Sequence, residues 1–195
     1  MRVPARAAEA ELREKGSVFL AQVRPVEERA AAEAFLEEVR ARHPDATHHC
    51  FAWRLGPVPE ERSSDAGEPM GTAGMPMLQV LRGAGLTQVV AVVVRWFGGV
   101  KLGKGGLARA YARALRLALE GMPVVERLAR VEVSLRLPYE KIGAVKRLLR
   151  PPEVELVDEE YGAEARLVLS VVEPRREALL AALADLGLEP TADLR

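Results

Sequence analysis

"VVVRWFGGVKLGKGGLARAY", residues 92–111, decides how this chain is read. An aliphatic run ends in Trp96 and Phe97. A glycine-rich loop carrying Lys101 and Lys104 follows, and a helical pattern then begins. Strand, glycine loop, lysine and helix together suit an anion. Glycine lets backbone N–H groups approach a ligand, and a helix start is the positive end of its dipole. Residues Gly98-Gly99-Val100-Lys101-Leu102-Gly103-Lys104-Gly105 nearly fit the phosphate-loop pattern, but Gly105 stands where a magnesium-binding hydroxyl is required. No acidic residue ends another obvious apolar strand to supply a second magnesium ligand. Gly103, Gly105 and Ala108 also fit the dinucleotide fingerprint. That site wants its glycines directly after the strand, and here Gly98 to Leu102 intervene. The stretch reads as a shaped backbone surface, not as a nucleotide-hydrolysing loop.

The helix after the loop carries the charge. At about 100° per residue, Leu107, Tyr111, Leu115 and Ala118 share one face, and Arg109, Arg113 and Arg116 lie opposite. No Asp or Glu occurs between Arg95 and Leu119. The candidate anion- or RNA-contacting residues are therefore Arg95, Gly98, Gly99, Lys101, Gly103, Lys104, Gly105, Gly106, Arg109 and Arg113. The competing reading is a solvated arginine face, the commoner fate of a charge stripe.

Working outward, residues 88–96 are apolar enough to predict a strand buried on both faces. Residues 17–25 and 47–55 read as strands. Between them Ala32, Phe35, Leu36 and Val39 predict a helix. Residues 56–68 read as a polar loop. A short helix follows with Met77, Leu78 and Leu81 inward, and a longer one covers about residues 106–120. "ARAAEAELRE" near the N-terminus reads helical by propensity. Residues 121–126 read as a linker. Beyond it the rhythm becomes β-α-β-β-α with a further strand near the end, which predicts a ferredoxin-like domain. The expected domains are 1–124 and 125–195.

A second loop, "SSDAGEPMGTAG" (63–74), supplies the remaining candidates: Asp65, Glu68, Gly71, Thr72 and Gly74. Its carboxylates suit acid–base work or, more commonly, capping of the next helix. Of His48, His49 and Cys50 only His48 and Cys50 share a strand face, and no second cysteine exists, so neither a metal site nor a cofactor is expected. The hydrophobic share is 49% and the formal net charge is zero, which excludes disorder and a global field for nucleic acid. The longest aliphatic run, Val89 to Val94, is far short of the ~20 residues of a membrane span. The N-terminus lacks a signal-peptide core and Cys50 is the only cysteine, so a cytoplasmic protein without internal disulfide is expected.

"HHCFAWRL", "SSDAGEPMGTAGMPMLQVL" and "VVVRWFGGVKLGKGGLARAY", in that order and spacing, resemble the YigZ/IMPACT family over roughly the first 120 residues. The remainder resembles the extra C-terminal domain of the bacterial YigZ branch. The resemblance implies a two-domain α/β (α+β) protein. Its first domain would be a ribosomal-protein-like βαβ fold with a left-handed crossover, as in domain IV of elongation factor G, and its second ferredoxin-like, similar to domain V. It implies a strand near residues 5–13, against the propensity reading. It also implies a link to translation, with no settled activity for bacterial members. The chain departs from the family pattern at Ala66, Met75 and Gly16-Ser17-Val18-Phe19; each change removes charge, which weakens a metal or phosphate role for that corner. The expected function is a non-enzymatic, translation-associated regulator binding RNA or the ribosome. The alternatives are an enzyme on a small phosphorylated substrate, with Asp65 or Glu68 as base and Lys101 or Lys104 as clamp, and a module that binds a protein partner in the same groove.

Overall fold

A computed structural model describes residues 1–193. The chain is mixed α/β and forms two compact units, Met1–Arg127 and the residues from Leu128 onward.

In the first unit a short strand β1 (Arg2–Pro4) is followed by β2 (Ala8–Glu14), β3 (Ser17–Pro25), α1 (Arg29–Arg42), β4 (His48–Leu55), β5 (Glu60–Ser64), α2 (Gly74–Gly83), β6 (Val89–Trp96), α3 (Gly103–Leu119) and β7 (Val124–Glu126). The main sheet has the order β2-β3-β6-β4-β5. β6 pairs antiparallel with both β3 and β4, so those two run parallel with β6 between them, joined through α1. β6 is central and its two faces feed different cores. Val89, Ala91 and Val93 pack with α2 and α3, while Val90, Val92 and Val94 pack with α1. The unbroken valine run thus reflects helices on both faces, a burial more usual for parallel sheets.

Three expectations fail here, each for a physical reason. Residues 8–14 form the strand that the family resemblance implies, not the helix that propensity predicts. Helix formers fill it, but Ala8, Ala10 and Leu12 alternate with Glu9, Glu11 and Arg13, and the inward set packs on the core. Period-two burial outweighed propensity. Residues 60–64, read as loop, are an edge strand on β4. Its sequence, EERSS, has no apolar alternation to betray it, and charge on an edge strand discourages pairing with other chains. Residues 124–126, read as linker, pair with β1. The first compact unit runs to Arg127.

The second unit contains β8 (Arg130–Leu137), α4 (Ile142–Lys146), β9 (Val154–Tyr161), β10 (Ala165–Val172), α5 (Arg176–Asp185) and β11 (Thr191–Asp193). The sheet order is β11-β8-β10-β9, antiparallel throughout, which is the ferredoxin-like arrangement. Val131, Val133, Leu135 and Leu137 of β8 alternate into a core with Leu167 and Leu169 of β10 and Leu179 and Leu183 of α5.

One contact fixes the glycine loop against the β2–β3 turn. Lys15 and Gly16 both have positive φ, 46° and 80°, as a tight two-residue hairpin requires. A Cβ added at Gly98 would lie 1.8 Å from the carbonyl carbon of Gly16, so the two backbones touch. Gly98→Ala is therefore expected to cost about 3 kcal/mol or more. Gly83→Ala, whose Cβ would meet nothing within 4 Å, should stay within about 1 kcal/mol of the parent. Thermal unfolding followed by circular dichroism checks this. Equal melting temperatures for the two variants would contradict the close approach.

Candidate functional site

The two quoted loops meet at the end of β6. On this strand Val89, Ala91, Val93 and Arg95 occupy one face, so Arg95 continues an apolar row to the end of the central strand. In the register it lies opposite Phe19 of β3 and His48 of β4. Arg95 is buried, at 5% exposure, and donates from Nη1 to Glu68 Oε1 at 2.6 Å. Tyr111 of α3 donates its hydroxyl to the same oxygen at 2.7 Å. Arg95 Nη2 donates to Ser17 Oγ at 3.3 Å, and the same hydroxyl oxygen accepts the Gly98 backbone N–H at 3.2 Å. The guanidinium stands 5.3 Å from the Phe19 ring centre and 5.6 Å from that of Phe97. Glu68 Oε2 lies 3.8 Å from His48 Nε2, while His48 Nδ1 meets the Ala66 carbonyl at 2.9 Å. A buried carboxylate with two strong donors thus ties the 63–74 loop, β6 and α3 together.

Burial governs the chemistry of the neighbours. Desolvation pushes the Cys50 thiol up to about 12, and its S–H donates to the Asp65 carbonyl at 3.0 Å. A thiol held neutral at physiological pH is neither nucleophile nor metal ligand. Tyr111 is raised well above the usual phenol range, first by burial and then by Cys50 and Glu68 beside it. Among the described residues no group of three or more His, Cys, Asp and Glu is placed to hold a metal ion.

Asp65 has a separate task. Its Oδ1 accepts the N–H groups of Ala73 at 2.8 Å and Gly74 at 2.9 Å, and its Oδ2 that of Gly71 at 2.7 Å. The start of α2 is therefore occupied by the protein's own carboxylate, as the capping reading expected. Thr72 turns its hydroxyl onto the Pro69 carbonyl at 2.6 Å. Gly74 also packs against β5, where an added Cβ would come within 2.7 Å of Ser64 N. Of the groove candidates, Asp65, Gly71 and Gly74 spend these groups internally, and Glu68 is turned inward to Arg95.

The α3 end is the reverse case. Among the described residues no side chain caps its first turn, and that turn holds no acidic residue. Lys101, Lys104, Gly105, Arg109 and Arg113 are exposed, as are Gly98, Gly99 and Gly103, and Gly106 is half-buried. Arg95 stands apart from this set. The Arg109 guanidinium folds back over the first turn, within 3.3 Å of where a Gly105 Cβ would sit. Sequence reasoning missed two members of this neighbourhood, Glu14 and Lys15 at the β2–β3 turn. They line a recess of about 230 Å³ together with Leu102, Gly106, Arg109, Ala110 and Arg113. Glu14 reaches Arg113 at 3.9 Å, so the stripe is not wholly free of carboxylate. Only the pairing of β2 with β3 along α3 brings these residues close, and no linear signal announces it.

Fold and site together define a two-domain α+β protein whose first unit holds two glycine-rich loops on a buried carboxylate. The Impact N-terminal domain matches residues 15–119, and the domain of unknown function DUF1949 matches residues 135–187. The IMPACT family member YigZ of Escherichia coli (strain K12) is 37% identical over 174 residues, covering 88% of this chain and 85% of that protein. The IMPACT family member in the pol 5′ region of Thermus thermophilus is 45% identical over 139 residues, 71% of this chain and 75% of that protein. A crystal structure described as that of a hypothetical protein aligns at 34% identity over 98% of this chain and 96% of that chain, with a TM-score of 0.78. This chain belongs to the IMPACT family.

The Asp65 cap carries its own pH signature. Burial raises the carboxyl, but the N–H groups of Gly71, Ala73, Gly74 and Thr72 together outweigh burial and hold it below the ordinary value. A depressed folded-state value stabilises the fold above the unfolded value of about 3.9, and the gain is lost as pH falls through the lower folded value. Asp65→Ala is expected to cost about 2 kcal/mol at pH 7, with the gap to the parent narrowing below about pH 4. Urea unfolding at several pH values checks this. A gap that widens in acid would contradict the cap.

Proposed function

We propose that this chain is a non-enzymatic, translation-associated regulatory protein that binds RNA or the ribosome through the exposed cations at the start of α3. Family membership supports the link to translation. The observation that carries the binding site is the uncapped α3 N-terminus beside Lys101, Lys104 and Arg109, for which the described residues offer no ion-pair partner. Anions in such a position are favoured by the helix dipole and by open N–H groups. Phosphate is the anion that RNA presents at regular spacing, and contacts to it position a protein without reading sequence.

The enzyme alternative loses its base, because Asp65 is held by three backbone N–H groups and Glu68 by Arg95 and Tyr111. The protein-partner alternative has one observation in its favour. Met70, Phe97 and Val100 are exposed at 92%, 48% and 52% on the two loops.

Electrostatic contact releases counterions, so affinity for ribosomal RNA should fall steeply between about 50 and 200 mM salt. Replacing Lys104 and Arg109 together by Ala should flatten the slope of log affinity against log salt by up to about two units, nearly one per lost phosphate contact. Filter binding reads the slope, and the fold should survive because both side chains are exposed. An unchanged slope would make the stripe a solvated face. No binding by the parent at low salt would move the protein-partner reading to first place.

A further inference from the structure

The Phe97 ring is exposed at 48%, whereas every other Phe, Trp and Tyr side chain of the first unit is buried or half-buried. It stands where β6 gives way to the glycine loop. In a slack loop such a ring would turn inward, away from water. Here the backbone beneath it is pinned. Trp96 Nε1 donates to Asp45 Oδ2 at 2.9 Å, the Phe97 N–H to Thr47 Oγ1 at 3.0 Å and the Gly98 N–H to Ser17 Oγ at 3.2 Å. The Arg95 guanidinium lies over the Phe97 ring, 5.6 Å from its centre, and is itself fixed by Glu68. One face of the ring is thus backed by a buried cation, and its exposed area lies away from that backing.

The charge around the ring stays positive after its carboxylates are counted. Arg95 cancels Glu68, and Arg113 faces Glu14. Asp65 and Asp45 are bound to N–H groups of the chain. Against those two carboxylates stand Lys15, Lys101, Lys104 and Arg109, all exposed and without an ion-pair partner among the described residues. Between the ring and Lys101, Gly98 and Gly99 carry no side chain, and a Cβ added at Gly99 would meet nothing within 4 Å. A backbone can pass there. Cations that follow phosphates beside an aromatic face that takes a base are the parts of a single-strand site. Within a duplex the bases stack on one another, so the ring finds a free base face only in an unpaired segment.

We propose, on the RNA-binding reading above, that Phe97 is a stacking platform for one unpaired nucleobase and makes the α3 surface selective for single-stranded over double-stranded RNA. The phosphates beside that base lie along Lys101, Lys104 and the open start of α3. Every base has a π-face, so the platform selects for strandedness and not for sequence.

Fluorescence anisotropy of the full chain tests this, with a labelled RNA strand of about 12 nucleotides that does not fold on itself, alone and annealed to its complement. The parent should bind the single strand more tightly than the duplex. Phe97→Ala should weaken single-strand binding about tenfold, leave duplex binding within about twofold and keep the slope of log affinity against log salt, because no phosphate contact is lost. Phe97→Leu, which keeps an apolar side chain beside Arg95 but no flat ring, should behave like Phe97→Ala, whereas Phe97→Trp should retain the preference. The position is exposed, so melting temperatures should stay near the parent's and a loss of binding is not a loss of fold. The Lys104/Arg109 double variant should instead weaken both RNAs and flatten both slopes. A parent without single-strand preference, or a preference that survives in Phe97→Ala and Phe97→Leu, overturns the platform and leaves RNA binding standing. Binding of neither RNA by the parent overturns both and assigns the ring to a protein partner.

Discussion

The pairing of Arg95 with Glu68 is the constraint on which the motif-bearing half of the first unit rests. It closes a 2.6 Å bond between the last inward residue of β6 and a loop 27 positions earlier in the chain. Such a pair is a doubtful source of net stability, since desolvating two charges offsets most of their attraction. Its effect is on geometry. Once Glu68 is fixed, Tyr111 has a partner, which sets α3 against β6. Once Arg95 is fixed, Ser17 is oriented to receive the Gly98 N–H, which sets the glycine loop against the β2–β3 turn. Removing one partner leaves a buried charge uncompensated, at about 3–5 kcal/mol, whereas replacing both by apolar groups is far cheaper.

The two helix N-termini beside this pair illustrate how the same local chemistry is put to opposite uses. Both α2 and α3 begin in glycine-rich sequence. The start of α2 is closed by Asp65, an anion supplied from within the chain. That of α3 is left open and ringed by exposed cations. The contrast depends on Asp65, which accepts the first N–H groups of α2; among the described residues no carboxylate does so for α3, where Glu14 reaches Arg113 instead. It turns two similar-looking motifs into a structural joint and a candidate anion surface.

Much of this was legible in the sequence, and the reasons for the rest are specific. The valine run of β6, the inward faces of α1 and α3 and the β-α-β-β-α rhythm of the second unit follow from apolar periodicity, and each is found where it was read. In β2 alanine and glutamate argue for helix, whereas their alternation, like the family resemblance, argues for the strand that forms. β5 was unreadable because a polar edge strand buries nothing. At the site, Asp65 was recognisable as a cap from its place before a helix. Arg95 is grouped with Lys101 as an anion candidate because no acidic residue lies near it in sequence, and only Glu68, distant along the chain, gives it a buried partner instead. The Glu14–Lys15 contribution beside α3 depends on strand pairing that no motif encodes.

The central claim is that the Arg95–Glu68 pair shapes both loops, and amide hydrogen exchange tests it directly. Four loop amides have identified acceptors: Gly71, Ala73 and Gly74 on Asp65, and Gly98 on Ser17. In Glu68→Gln, resolved by nuclear magnetic resonance, all four should exchange about tenfold faster or more, while the amides of α1, on the other face of the sheet, keep the protection of the parent. Unchanged protection at Gly71, Ala73, Gly74 and Gly98, or an equal loss throughout α1, would contradict the account.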